Sequence, residues 1–158
     1  MEVGNSGTVK VITGYLNPGE ASAIPIIQKA QLLSLDDETV IYDCPPGSAC
    51  SVQESIQNAD YCILAAEPTA FGFHNFQMVE ELIRLHRKPC GVIIDKEETP
   101  YKPLEDFCRE KKLPILMRIP FSKKLAGSIS RGELAAAEDP MLKAQFKEVL
   151  MKIGGTAT

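Results

Sequence analysis

The sequence predicts an α/β fold in which helices cover both faces of a mostly parallel sheet, in a three-layer, Rossmann-like arrangement. Short apolar runs alternate with helical patterns along the 158 residues. The runs are continuous rather than alternating with polar residues, which is typical of strands buried on both faces of a parallel sheet. Strands and helices in alternation favour right-handed crossovers, and these bring helices to both sides of the sheet.

The elements follow from the spacing of apolar residues. The predicted strands cover residues 9–13, 40–43, 61–67, 91–95 and 115–120. Apolar side chains spaced at three and four predict helices around residues 26–33, 73–87, 104–108 and 142–153, the last one behind the helix breaker Pro140. We expect one domain over residues 1–158, with flexible ends at residues 1–7 and 154–158.

Composition narrows the class of protein. A hydrophobic content of 44% with 24% charged residues is typical of a soluble globular protein. The net charge of -4 argues against nucleic-acid binding, because neutralising phosphates requires a basic face. No apolar run approaches the roughly 18 residues needed to span a bilayer, and the first residues do not form a signal peptide. The five cysteines lie mostly in or beside apolar runs, so we expect reduced thiols in a cytoplasmic protein.

Residues 14–21 contain two glycines at the spacing of a phosphate-binding loop. A working loop continues with Lys and then Ser or Thr, which hold the phosphates and Mg²⁺. Glu20 and Ala21 occupy those places. A carboxylate repels a triphosphate and an alanine cannot bind the metal, so we predict a plain strand-to-helix turn, with Glu20 near a helix amino terminus.

The segment 43–47 is the strongest chemical signal in the chain. Asp43 ends an apolar run, the usual position of an aspartate that holds Mg²⁺ or its water beside phosphates. Pro45 and Pro46 stiffen the segment, and Gly47 leaves a backbone N–H able to approach an anion. The position alone equally permits a tight turn in which Asp43 caps the next helix.

Two further signals each leave alternatives open. Glu67 ends the next apolar run and is either functional or a brace for its loop, while Thr69 is placed to cap the helix that begins near Phe71. Cys44 and Cys50 do not have a zinc or iron–sulfur spacing that favours a metal site. A thiol or cluster-binding role for these two cysteines stays open as a hypothesis.

Six segments, in this order and spacing, resemble the MinD/ParA (CobQ/CobB/MinD/ParA) superfamily, in particular the MinD-like P-loop ATPases that carry an inserted ferredoxin domain. The matching segments are residues 14–21, 43–50, 59–61, 67–72, 91–95 and 119–121. The resemblance spans residues 8–134 and corresponds to the carboxy-terminal half of such an ATPase. It implies a P-loop NTPase fold and an ATP-dependent role linked to iron–sulfur or redox partner proteins.

The resemblance also implies roles for single residues. Asp43 resembles the Walker B aspartate that orders Mg²⁺ through water. The switch segment that senses the γ-phosphate is matched by Pro45, Pro46 and Gly47. Asp95 occupies the place of an asparagine that binds adenine. Glu67 is included among the candidate nucleotide contacts, and Pro120 and Phe121 resemble the loop that flanks the base. ATP or ADP with Mg²⁺ is therefore the expected cofactor, whereas the ferredoxin cysteines, and with them an iron–sulfur cluster, are not expected in this chain.

The sequence also departs from the family. A Walker A loop is absent from the 158 residues, so we do not expect efficient ATP hydrolysis by this chain alone. A sheet without its first strand has an open edge, which predicts pairing with a missing amino-terminal segment or with a second copy. The alternative function is a non-catalytic interaction module of the same fold that dimerises or docks a partner.

Overall fold

The computed structural model describes residues 1–35 and 39–154. These residues form two compact units, Met1–Ala59 and Asp60–Thr158, and each is described by itself. A single domain over the whole chain stays a prediction. Among the described residues, helices that are both long and apolar enough to cross a bilayer are absent.

The first unit contains a β-hairpin and two helices. Strands β1 (Glu2–Ser6) and β2 (Val9–Thr13) pair in antiparallel register. Their connection begins at Gly7 with a φ of 60°, as a two-residue hairpin turn requires. Helices α1 (Ile24–Leu32) and α2 (Cys50–Ile56) pack together. The buried Gln31 joins them, because its Nε2 donates to the carbonyls of Glu54 and Ser55 at 3.1 and 3.3 Å.

The first unit differs from the prediction in two strands. The strand at residues 9–13 was expected to be parallel and buried, but β2 is antiparallel and mostly exposed. The predicted strand at 40–43 has no regular structure, and Ile41 is 78% exposed. An apolar run indicates only a preference for the extended conformation, because a β-strand also needs a hydrogen-bonded neighbour. Residues 1–7, predicted to be flexible, include β1, and residues 155–158 of the predicted flexible tail lie outside the described residues.

The second unit contains the parallel sheet. Strands β3 (Cys62–Ala66), β4 (Cys90–Glu97) and β5 (Ile115–Pro120) lie in the order β3-β4-β5. The crossovers are α3 (Ala70–Leu85) and α4 (Lys102–Glu110). After the sheet come α5 (Lys123–Ser130), α6 (Ala135–Glu138) and α7 (Pro140–Gly154). The predicted strands at 61–67, 91–95 and 115–120 are confirmed, and so is the parallel α/β class.

Two sets of helices pack in the second unit, the crossovers α3 and α4 and the carboxy-terminal helix α7. Both crossovers lead to the next strand in the same direction, so right-handed connections place α3 and α4 on one face. There Phe73 and Phe76 of α3 make edge contacts with Phe107 of α4. On the other face, Leu142 and Val149 of α7 join a buried cluster with the strand residues Ile93 and Met117. The core of the second unit therefore lies around β4 and β5, with α7 packed on Ile93 and Met117.

Strand β4 ends in a β-bulge. Ile94 pairs with Arg118 and Glu97 pairs with Pro120, so two residues of β4 lie opposite one residue of β5. Within the bulge, Lys96 has a φ of 56°, which is uncommon for a residue with a side chain. Bulges turn the strand and redirect side chains, and they are frequent beside functional sites. This one redirects the chain directly after Asp95.

Candidate functional site

The carboxyl edge of the parallel sheet gathers half of the predicted site. Ligands of open α/β sheets bind beyond the carboxyl ends of the strands. Glu67 follows β3 and Asp95 lies near the carboxyl end of β4. Pro120 ends β5 and Phe121 follows it. Asp43, Pro45, Pro46 and Gly47 belong to the first unit instead.

The turn from β3 into α3 is held by a cap and an ion pair. The Thr69 side chain accepts a hydrogen bond of 3.0 Å from the Gly72 N–H, which confirms Thr69 as the helix cap. The Thr69 N–H donates to the Glu67 carbonyl at 2.8 Å. The Glu67 carboxylate is ion-paired with Lys96, and this hydrogen bond raises the pKa of the Lys96 ammonium group. Glu67 was predicted to be either a functional residue or a brace for its loop, and these contacts favour the brace.

The turn after β5 is tied to the end of β4. The backbone N–H of Phe121 donates to the carbonyl of Glu97 at 3.1 Å. The Ser122 side chain then accepts from the Leu125 N–H at 3.2 Å and caps α5. With its backbone fixed at both ends, Phe121 still leaves 46% of its surface exposed. An exposed, positioned aromatic ring is a surface on which a flat base can stack.

Arg118 is the central ionic residue of this edge, and it was not among the site residues predicted from the sequence. Its guanidinium donates to Glu97 at the end of β4 and, at 2.8 Å, to Glu105 of α4. Burial would lower the pKa of Arg118, but the hydrogen bonds and charges of Glu105 and Glu97 outweigh it and raise that pKa. The signal was present in the sequence as a single cation interrupting an apolar strand. This cluster braces the segments on either side of Asp95 and Phe121.

The segment 43–47 lies in the first unit as an exposed loop. Gly47 has a φ of 90°, a conformation that glycine adopts without strain. The cap of α2 is Ala49, so the alternative in which Asp43 caps that helix is wrong. Asp43 itself is exposed.

Asp43 suits Mg²⁺ only if a nucleotide supplies further ligands. Throughout residues 1–35 and 39–154, groups of three or more His, Cys, Asp or Glu side chains that could hold a metal ion are absent. Mg²⁺ commonly takes one or two carboxylates and completes its shell with water and substrate phosphates. A single exposed carboxylate fits that pattern and does not fit a metal site made by the protein alone.

Residues 14–21 form the predicted turn. The Glu20 N–H donates to the Asn17 carbonyl at 3.1 Å, with Pro18 and Gly19 between them. Gly19 has a φ of 92°, as the third position of a type II turn requires. The Glu20 carboxylate accepts from the Asn17 side chain at 2.8 Å and from its backbone N–H, which lowers the pKa of Glu20. Helix α1 begins only at Ile24, so Glu20 stabilises the turn rather than the helix amino terminus.

Four of the five cysteines are buried or half-buried thiols. Disulfides are absent from the described residues, which include every cysteine of the chain. Burial raises the pKa of Cys44, Cys90 and Cys108, and a raised pKa lowers the fraction of reactive thiolate. Cys50 is exposed. The raised pKa of Cys44 argues against a reactive thiolate at that residue.

One comparison with known proteins supports the fold. No family model matches the sequence. The chain is 24% identical over 125 residues to the uncharacterized protein MJ0579 of Methanocaldococcus jannaschii, a match that covers 78% of this chain and 43% of that protein. Among solved structures, the MinD cell division protein of Aquifex aeolicus matches with a TM-score of 0.64 and 21% identity, over 83% of this chain and 61% of MinD. The chain has a MinD-like fold. It spans less than two thirds of the length of either protein.

Proposed function

We propose that this chain is the carboxy-terminal part of a MinD/ParA-like nucleotide-binding ATPase with the three-layer P-loop NTPase architecture. The MinD-like fold carries the proposal. Asp95 and Phe121 support it, because Asp95 lies near the carboxyl end of β4 and Phe121 follows β5, at the edge where such sheets bind ligands. In this proposal ATP or ADP binds with Mg²⁺, and its state is communicated to an iron–sulfur or redox partner, a link that rests on the sequence resemblance alone.

In this proposal each candidate residue has its own role in binding the nucleotide or Mg²⁺. Asp43 would hold Mg²⁺ through water, and the bound ion would neutralise phosphate charge. The Gly47 backbone offers an N–H to a phosphate oxygen, while Pro45 and Pro46 limit the movement of that segment. Glu67 and Lys96 brace the turn after β3. Phe121 stacks against the base and Pro120 fixes the start of its turn.

Hydrolysis needs more than these residues. Phosphoryl transfer depends almost entirely on positioning and on stabilising the charge of the phosphates. The turn at 14–21 holds a carboxylate, Glu20, in place of the lysine of a phosphate loop. We therefore expect nucleotide binding without efficient turnover unless another segment supplies that loop.

Calorimetric titration with Mg-ATP and Mg-ADP tests the proposal. We expect weak, Mg²⁺-dependent binding that is lost in Asp43→Ala. The matched control is Asp106→Ala, because Asp106 forms only an exposed ion pair with Arg109 on α4. Heat that is equal in both variants would contradict the role of Asp43, and no heat at millimolar nucleotide would contradict the proposed function.

A non-catalytic interaction module of the same fold is the second candidate. The Asn17–Glu20 turn favours this candidate. Two hydrogen bonds from Asn17 hold the Glu20 carboxylate in the turn, and this negative charge disfavours a phosphate there. This candidate expects no nucleotide binding together with a stable homodimer or partner complex. The titration above and a light-scattering mass of the same sample separate the two.

A further inference from the structure

Helices α3 and α4 end in the same sequence pattern at the amino edge of the parallel sheet. Residues 84–89 have the sequence RLHRKP, and residues 109–114 have the sequence REKKLP. Each begins with arginine, has two basic residues at its third and fourth places and ends with proline. Helix α3 leads into β4 and α4 leads into β5, and these strands are parallel neighbours. Both helix ends therefore lie at one edge of the sheet, opposite the candidate nucleotide site.

The backbone of both helix ends is strained at a basic residue. Arg87 has a φ of 54° and Lys112 has a φ of 56°. In each case the N–H of the next residue returns to a carbonyl group in the last turn of the helix, at 3.2 and 2.8 Å. Glycine is the usual residue at this left-handed position, because a side chain there is sterically unfavourable. Two neighbouring helices thus hold a cation where glycine would fit with less strain.

The helix dipole does not account for these two cations. It favours a cation in the last turn of a helix, and Arg84 and Arg109 already occupy those turns, each paired with a carboxylate three residues earlier. Arg87 and Lys112 lie beyond the helix ends and are exposed. Across residues 1–35 and 39–154, neither of them forms an ion pair. Both are therefore available to a partner outside this chain.

The two helix ends form one surface. Arg84 of α3 and Lys111 of α4 line the same groove between the helices, and packed helices lie about 8–10 Å apart. Residues 84–88 and 109–112 each carry three Arg or Lys side chains, against the single carboxylate of Glu110. A further exposed carboxylate, Asp60, precedes β3 at this edge and offsets part of the positive charge. We call residues 84–88 and 109–112 the basic edge.

An exposed apolar side chain lies within the basic edge. Leu85 is 67% exposed. Protein interfaces commonly have an apolar centre surrounded by a polar rim. A phosphate backbone offers nothing against which Leu85 can pack, whereas an acidic polypeptide offers both carboxylates and apolar side chains. A long polyanion would also meet the rest of the surface, and the chain has a net charge of -4.

We propose that the basic edge docks an acidic polypeptide segment of another protein. Carboxylates of that segment pair with Arg87 and Lys112, and one of its apolar side chains covers Leu85. Hydrogen bonds between charged groups of this kind are stronger than neutral ones. The strain at the two caps then serves to present two cations to the partner, since strained residues cluster at binding sites. This surface adds a second binding function, at the edge opposite the candidate nucleotide site.

Fluorescence anisotropy tests the docking without nucleotide. The probe is a labelled peptide of glutamate residues with a pair of leucines at its centre. We expect salt-sensitive binding that is at least about fivefold weaker in the double variant Arg87→Gly with Lys112→Gly, since exposed ion pairs each contribute modestly. Lys143→Gln with Lys147→Gln is the matched control, because it removes the same charge from exposed positions of α7. Leu85→Gln should weaken binding as well, without changing the charge.

The glycine variant is also checked for folding. Glycine adopts the left-handed cap freely but loses more backbone entropy on folding. We therefore expect Tm to stay the same or to rise by up to about 4 °C. Weaker peptide binding with an unchanged or higher Tm shows that the two cations act on the partner rather than on the fold, and a lower Tm would contradict the strain at the caps.

Several results would overturn the proposed docking. Binding may be absent at low salt, or the control variant may weaken it as much as the glycine variant does. Binding that Leu85→Gln leaves unchanged shows attraction of anions without an interface. Tighter binding of duplex DNA or of vesicles with anionic lipids, lost in the glycine variant, assigns the basic edge to phosphate instead. Because nucleotide is omitted, these results are distinct from failure of the titration with Mg-ATP.

Discussion

A methyl group added at Gly72 would lie 2.5 Å from the backbone carbonyl oxygen of Glu67. Gly72 is in the first turn of α3, and Glu67 directly follows β3. The same methyl group would lie 3.0 Å from the side-chain oxygen of Thr69, the residue that caps the helix. The chain therefore returns on itself at the carboxyl edge so tightly that only glycine fits.

We expect Gly72→Ala to lower the free energy of unfolding by about 1–3 kcal/mol, the usual cost of overpacking. The nearest atom is backbone and cannot rotate away, so the turn itself must shift. Gly127→Ala in α5 is the matched control, because its methyl group would meet only Arg131 Nη1 at 3.5 Å. That control should be neutral or stabilising by up to about 1 kcal/mol. Urea denaturation followed by circular dichroism measures both, and equal stabilities would contradict the model of a closed turn.

Arg118→Met should destabilise the chain because it leaves two carboxylates without their cation. The Glu97 side chain is only 14% exposed, so its charge is poorly solvated once Arg118 is gone. Arg118 is itself 39% exposed, which reduces the expected loss to about 1–2 kcal/mol. Arg131→Met, which removes a surface pair with Glu133, should change little. Thermal denaturation of the two variants decides the point, and similar shifts in Tm would refute a bracing role for Arg118.

The regular part of the second unit follows from local sequence, whereas the strand pairing of the first unit does not. Strands β3, β4 and β5 are continuous apolar runs, and burial on both faces requires that composition. Strand β1 has the sequence EVGNS, which carries no such signal, because hairpin pairing with β2 rather than burial forms it. Residues 40–43 are also a continuous apolar run but form no strand. Strand formation depends on a hydrogen-bonded neighbouring strand, which local sequence does not specify.

The candidate site could be predicted in position but not in its ionic contacts. Asp95, Pro120 and Phe121 were predictable because strand ends in parallel sheets meet at one edge. The Arg118 cluster was not, because its partners Glu97 and Glu105 come together only through the pairing of β4 with β5 and the packing of α4. The helices α2, α5 and α6 were missed as well, since short helices contain too few apolar repeats to show a period.

Asp95 should influence the choice of base. An ionised carboxylate accepts hydrogen bonds but donates none, whereas an asparagine does both. Guanine presents two N–H donor groups side by side at its pairing edge, and adenine presents a donor beside an acceptor. We expect Asp95→Asn to raise the affinity for Mg-ATP relative to Mg-GTP by about tenfold, the equivalent of one hydrogen bond.

Competition between the two nucleotides in the same calorimeter measures this ratio. Asp106→Asn is the control, since Asp106 lies on α4 in an exposed ion pair. A ratio that does not change in Asp95→Asn would show that the carboxylate does not contact the base. No binding of either nucleotide would contradict the proposed function as well.

Thiol labelling should separate the cysteines by burial. Cys50 is exposed and should react first with a disulfide reagent at neutral pH. Burial raises the pKa of Cys90 and Cys108, so they should react slowly in the folded chain, and faster as rising pH increases their thiolate fraction. Cys50→Ser should remove the fast phase. Mass spectrometry of partly labelled protein identifies the site, and early labelling of Cys108 would contradict the observed packing.

Strand β4 has neighbours on both sides, and Val92, Ile93 and Ile94 are 0%, 8% and 1% exposed. Amides in such a strand exchange with solvent deuterium only when the whole unit opens. Asp95 directly follows these residues, so we expect its backbone to be anchored to a slowly exchanging segment. A ligand that contacts it loses little conformational entropy on the protein side, because the carboxylate's backbone is already ordered. Any entropy cost of recognition at this edge should therefore arise in the neighbouring segments and not in β4.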